Sequence, residues 1–198
     1  MGPPRRSADG IDLQIATNYL GHFLLCQLLE EHLVRSAPAR IVHVASIAAR
    51  FGKIDENALE PVHESYEAQK VYQTSKLMQV IFSRKLNERL AGTGVISNSL
   101  EPVVVKTGLS PGIADDPAMR ARLENGVSVE VGARTTIFLC ASMKAQQGGG
   151  NFENCEDISH GLSKAKYLVA AHSLRRTMGP RLWADSDALI AKHQPTPY

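Results

Sequence analysis

The sequence predicts an α/β fold with a parallel sheet, and three observations carry that expectation. Arg40-Ile-Val-His-Val-Ala45 is a short, nearly continuous apolar run rich in β-branched residues, the pattern of a strand buried on both faces. On either side of it, long stretches repeat their apolar residues every three or four positions, the spacing of amphipathic helices. Strand and helix patterns then alternate along the chain, which right-handed crossovers turn into a parallel sheet. About three strands can be found, whereas doubly wound sheets carry about five or more.

Residues 1–10 (MGPPRRSADG) combine proline, glycine and charge and read as a loop that ends at a helix cap, Ser7 or Asp9. From Ile11 to about Arg35, Leu13, Ala16, Leu20, Phe23, Leu24 and Leu28 mark one helix face, and Pro38 stops the helix. The strand run follows and leaves Ser46 at its carboxyl end. Residues 47–66 are mixed and polar, with Gly52 and Pro61, and read as a loop. The next helix runs from Tyr66 or Val71 to Leu90, and Gly92-Thr-Gly94 closes it. Val95–Leu100 is a second strand, weakened by Ser97-Asn-Ser99 and ended by Glu101-Pro102. Residues 107–126 are rich in glycine and proline around a short helical piece near Met119–Leu123. A helix near Val129–Met143, a turn at Gly148–Gly150, a strand around Asn151–Cys155 and a helix around Arg181–Lys192 complete the order. His22 and His43 fall within apolar patterns and read as core or near-core histidines. Trp183 reads as a packing anchor, and Arg5 and Arg6 as solvated.

Composition narrows the function. The 198 residues, 43% hydrophobic and 21% charged, suffice for one ordinary core, so 1–198 is read as a single domain. The formal net charge is +2 with the two signs interspersed, so no basic stripe marks a nucleic-acid surface. The longest apolar stretches, such as Ile137–Ala141, fall far short of the roughly 20 residues of a membrane span. No membrane segment is expected, and the location is read as cytoplasmic. Cys26, Cys140 and Cys155 are odd in number and widely separated, which suits a reducing compartment. They form no C-x-x-C pair and the histidines are scattered, so no metal site is expected.

Tyr72-Gln-Thr-Ser-Lys76 places a phenol and an ammonium four residues apart on one helix face, where both can act on the same point. A free Tyr, with a pKa of about 10, is a poor proton donor or acceptor at neutral pH, and a neighbouring ammonium favours the phenolate. Such a pair by itself is also a common surface contact. Ser46 lies at the carboxyl end of a parallel strand, the edge where open α/β sheets bind ligands, and its hydroxyl could donate to a substrate oxygen. A serine there can equally cap the next turn. Pro102 ends the second strand at the same edge, and Thr107 could hydrogen-bond a ligand or belong to an ordinary turn.

Taken together and in order, Asn18-Tyr-Leu-Gly21-His-Phe, Arg40-Ile-Val-His-Val-Ala-Ser46, Tyr72-Gln-Thr-Ser-Lys76 and Glu101-Pro-Val-Val-Val-Lys-Thr107 resemble the short-chain dehydrogenases/reductases. The 26-residue step from Ser46 to Tyr72, with Gly150-Asn-Phe-Glu-Asn-Cys155 and Arg181-Leu-Trp183-Ala-Asp-Ser186, resembles the retinol-dehydrogenase-like branch. The resemblance implies an NAD(P)-dependent oxidoreductase that interconverts an alcohol and a carbonyl, retinol and retinal or another lipophilic or small carbonyl compound. In that family's terms Tyr72 is the general acid/base, Lys76 lowers its pKa and holds the nicotinamide ribose, Ser46 orients the substrate oxygen, and Asn18 holds a water of the proton relay. Pro102, Val103, Val105 and Thr107 contact the nicotinamide of NADP or NAD, and 107–126 is the substrate lid. Val103 departs from the family, which has glycine after the proline, so its side chain is expected to crowd the cofactor.

The same resemblance implies a first β-α turn with glycines to hold the cofactor pyrophosphate. No such turn is found, because Gly148–Gly150 follows a helix and precedes a strand. The expected fold is therefore the C-terminal part of a doubly wound (Rossmann-type) parallel sheet with its N-terminal strands missing, a single incomplete domain. An exposed apolar edge is expected to make the isolated chain poorly soluble and a weak binder of NAD(P), and a homo-oligomer is a possible form. The alternative reading is a truncated, inactive relative acting as an interaction module.

Overall fold

The computed structural model describes residues 3–60, 66–106, 117–159 and 165–193. The first helix starts later than expected. Ser7 and Ile11 instead close a tight loop, with the Ser7 N–H donating to the Ile11 carbonyl over 2.7 Å and Gly10 at φ 78°. The cap is Asp12, whose Oδ1 accepts from the N–H groups of Gln14 and Ile15 at 2.9 and 3.1 Å. The helix begins as α1 (Leu13–Ile15), widens into a π-helical turn (Ala16–Leu20) and continues as α2 (Gly21–Arg35). Periodicity alone does not reveal the π turn, which inserts one residue without breaking the rod.

Next come β1 (Ala39–Val44), a 3₁₀ turn (Ile47–Phe51), α3 (Ala68–Arg89) and β2 (Val95–Leu100). They are followed by α4 (Pro117–Glu124), α5 (Val129–Ala141), β3 (Asn151–Glu153), β4 (Glu156–Asp157) and α6 (Ala165–His193). The sheet runs β1-β2-β3-β4, with the first three strands parallel and β4 antiparallel to β3. The expected third strand is shorter than read, because Asn154 and Cys155 take positive φ and turn the chain back into β4. The last helix is longer than read: it starts at Ala165, and the exposed Pro180 lies inside it without ending it.

Side chains of β1 alternate between two layers. Ile41 and His43 face α2 and α3, where Tyr19, Phe23, Phe82 and Trp183 stack. Phe23 lies 5.0 Å from Phe82 and 4.9 Å from Trp183 between ring centroids, so α6 is pinned to the helix layer by the anchor expected at Trp183. Val42 faces the opposite layer with Leu100, Leu139 and Phe152. The sheet is thus covered on both faces, as a doubly wound fold requires.

The polar centre of β2 is buried yet fully used. Ser97 bonds Ser83 of α3 at 3.0 Å, Asn98 donates to the Gln147 carbonyl and accepts from the Gly150 N–H, and Ser99 donates to Asn151 at 2.9 Å. A strand that looks weak in sequence is therefore stitched to three neighbours. β1 has one hydrogen-bonded partner strand, and Leu25, Leu28 and Leu29 of α2 are exposed among the described residues.

Candidate active site

The cleft lies where β1 and β2 end. Ser46 follows β1 in extended backbone and its Oγ accepts from the Ala48 N–H at 3.1 Å, so the hydroxyl does cap the 3₁₀ turn. Accepting there leaves its O–H to donate elsewhere. The turn ends at Gly52, which lies against α3 so closely that a Cβ would sit 2.5 Å from the Gln73 carbonyl oxygen. Thr74 then donates to the Lys53 carbonyl at 2.9 Å. These contacts bring the Ser46 turn onto the helical turn that carries Tyr72.

Lys76 Nζ donates to the Val44 carbonyl at 3.0 Å and to Gln79 Oε1 at 2.9 Å, and lies 5.9 Å from the centre of the Tyr72 ring. Burial pushes its ammonium down to about 8. The π turn presents Asn18, whose Nδ2 donates to Ser75 Oγ at 3.0 Å, and Ser75 in turn donates to the Tyr72 carbonyl at 2.7 Å.

Asn18, Ser46, Tyr72, Lys76, Pro102, Val103 and Val105 all line one cleft of about 1140 Å³. Thr107, with the 107–116 part of the expected lid, lies outside the described residues. The loop after β2 is held by α5 and its approach: Lys106 N–H donates to the Val127 carbonyl at 3.0 Å, Val127 N–H to the Val104 carbonyl at 2.9 Å, and Gly132 makes room for the Val105 side chain.

Other lining residues carry no motif. Ile47, Phe51 and Val129, all exposed, give the cleft apolar walls, and Tyr66 accepts from Gln14 Nε2 at 2.9 Å. Arg5, read as solvated, reaches the cleft rim. Of these, only Ile47 and Phe51 carry a sequence signal, an apolar residue in a stretch read as a loop. Gln79 was legible in principle, since it occupies the buried stripe of α3 with Ser75, Phe82 and Leu86. His43 is buried as expected and is pushed down to about 4, mainly by burial. His22 departs from its expectation: it is exposed, with its ring bonded to Gln79 at 2.8 Å.

A covered parallel sheet with a cleft at its carboxyl edge defines a doubly wound α/β protein whose ligand site is built from strand-end loops. The chain belongs to the short-chain dehydrogenase family: the family model described as short chain dehydrogenase matches residues 5–118. It is 38% identical over 196 residues to retinol dehydrogenase 14 of Homo sapiens, covering 95% of this chain and 55% of that protein. It is 42% identical over 193 residues to retinol dehydrogenase 11 of Homo sapiens, covering 96% and 57%. The chain thus spans about half the length of the curated relatives it matches. Among solved structures, an uncharacterized protein from Mycobacterium paratuberculosis superposes with a TM-score of 0.63 at 26% identity, over 95% of this chain and 62% of that one.

Proposed function

We propose that this chain carries the proton-transfer and nicotinamide-facing part of an NAD(P)-dependent oxidoreductase that interconverts a lipophilic alcohol and its carbonyl compound, of the retinol and retinal kind. The observation that carries the reading is the convergence of Ser46, Tyr72, Lys76 and Asn18 from three separate elements on one cleft.

The cleft suits a dinucleotide's nicotinamide end: Pro102 and Val105 offer an apolar wall for a flat ring, Val103 narrows the space beside them, and the Lys76 ammonium lines the same cleft as a donor for ribose hydroxyls. Among the described residues no glycine turn leads from a strand into a helix, so the pyrophosphate has no cradle in them. When bound, the cofactor supplies or takes the hydride. The Ser46 hydroxyl orients the substrate oxygen by donating to it. The Tyr72 hydroxyl gives that oxygen its proton in reduction and takes it back in oxidation. The Lys76 ammonium, fixed by Val44 and Gln79, stabilises negative charge on the phenol oxygen as the proton leaves. Asn18 braces the first turn of the catalytic segment through Ser75. The exposed apolar walls at Ile47, Phe51 and Val129 favour a hydrophobic substrate body.

The test is a coupled assay in the natural polypeptide carrying this sequence, following NADPH or NADH absorbance with retinal and with aliphatic aldehydes of increasing length. Turnover that rises with chain length and is lost in Tyr72→Phe is the expected result. Wild-type turnover preserved in Tyr72→Phe overturns the assignment.

A further inference from the structure

Gln79 is a polar side chain set in the buried run Leu77–Phe82 and is itself 0% exposed. A carboxamide there is destabilising unless both ends are bonded. Both are: Oε1 accepts from Lys76 Nζ at 2.9 Å, and Nε2 lies 2.8 Å from His22 Nδ1. The orientation follows from chemistry. An ammonium can only donate, so the amide oxygen must face Lys76, the amide NH₂ must face His22, and His22 Nδ1 must accept. That arrangement requires a neutral His22 with its ring proton on Nε2. Partial desolvation of the ring, on the side that meets Gln79, and the Lys76 charge both hold His22 below the ordinary histidine range, which keeps it so at neutral pH. The groups acting on this ring are Lys76 from α3 and, across the sheet face, His43 from β1.

With Val44 and Gln79 each taking one donor, the third N–H of Lys76 is left for the cleft that it lines. We propose that Gln79, oriented by His22, is the positioning residue that aims the Lys76 ammonium at the cleft. Protonation of His22 would remove the acceptor for the Gln79 NH₂, favour a flipped carboxamide and release Lys76 from one of its two anchors. The inference rests on the reading of Lys76 as the ammonium that assists Tyr72, and the two can fail separately.

The deciding experiment titrates Lys76 itself by NMR of the full chain labelled with ¹³C at the lysine ε carbons, with Lys76→Arg assigning the signal. Gln79→Leu, which deletes the acceptor, is expected to lower the Lys76 midpoint by about half a pH unit to one unit. Gln79→Glu, which restores an acceptor, is expected to return it to the wild-type value or above. His22→Leu, at an exposed position, is expected to shift it in the same direction as Gln79→Leu but less, and it serves if Gln79→Leu does not fold. An unchanged midpoint in folded Gln79→Leu, or in His22→Leu where Gln79→Leu does not fold, overturns the proposal. If the midpoint moves while the pH profile of turnover does not, the positioning role stands and the assignment of Lys76 to catalysis falls.

Discussion

Arg50 reaches from the 3₁₀ turn behind Ser46 to the fully buried carboxylate of Glu101, with Nη2 2.7 Å from Oε2, and so ties the end of β1 to the end of β2. Asn151 completes the site by donating to the other carboxylate oxygen at 2.8 Å, and Glu153 adds a second acceptor for Arg50 at 3.4 Å. The two loops that hold Ser46 and Pro102 therefore share one internal ion pair.

Arg50→Met leaves that carboxylate buried without its cation and is expected to destabilise the protein by about 3–5 kcal/mol, measured by denaturant unfolding. Burial already holds Glu101 above the usual carboxylate range, opposed by Arg50 and Asn151. A carboxyl raised in the folded state adds stability below its unfolded pKa and loses it as pH rises through the folded one. The difference between Arg50→Met and the parent should accordingly widen as pH rises from the acid side to neutrality. A pH-independent difference would contradict this account of the pair.

His43 presents the opposite sign. Burial, with a smaller contribution from His22, lowers it from 6.5 to about 4, so the folded state refuses a proton that the unfolded chain accepts. Its contribution is present above the unfolded pKa and is lost as pH falls toward the folded value. At 1.36 kcal/mol per unit this is about 3 kcal/mol of acid sensitivity. Unfolding free energies at neutral pH and near pH 4 should converge in His43→Leu relative to the parent, whose stability drops across that interval.

At Gly52 the backbone approach to Gln73 and Leu77 leaves no room for a methyl group, although its φ of −66° is open to any residue. Gly52→Ala must push the 3₁₀ turn away from α3, at about 1–3 kcal/mol. The same displacement separates Ser46 from Tyr72, so kcat should fall more than thermal stability alone explains. Equal turnover per folded molecule would show that the turn does not set the Ser46–Tyr72 spacing.

Tyr72→Phe should lower kcat by about 10²–10⁴-fold with little change in melting temperature, because Tyr72 lines the open cleft. Lys76 loses its charge above about 8, so reductase turnover should decline through that pH, and Lys76→Arg, always charged, should remove the decline.

Val103 lines the cleft at the position where the family resemblance implies glycine. Val103→Gly should tighten nicotinamide cofactor binding, read as a lower KM for NADPH or NADH with little change in KM for the carbonyl substrate. A higher cofactor KM would mean that the valine forms part of the binding wall rather than an obstruction.

Much of the fold was legible in the sequence because its signals are local. The β-branched run at 40–45, the helical stripes around Phe23 and Phe82 and the Gly-rich breaks mark β1 and the carboxyl ends of α2 and α3 within a residue. The Tyr72/Lys76 spacing is likewise a property of one helix. What was misread depended on contacts across the chain: the true cap at Asp12, the short hairpin after β3, and the reach of α6, which Pro180 does not interrupt.

The sequence by itself determined the parallel α/β class, the order of the elements and the residue types at the sheet's carboxyl edge, since each follows from spacing along one segment. Only the tertiary structure decided which side chains act on one another. The Arg50–Glu101 pair spans 51 positions and the Gln79–His22 bond 57, and no periodicity links them. Such contacts form because buried polar groups must find partners wherever the packed sheet and helices bring them, and that placement belongs to the fold as a whole.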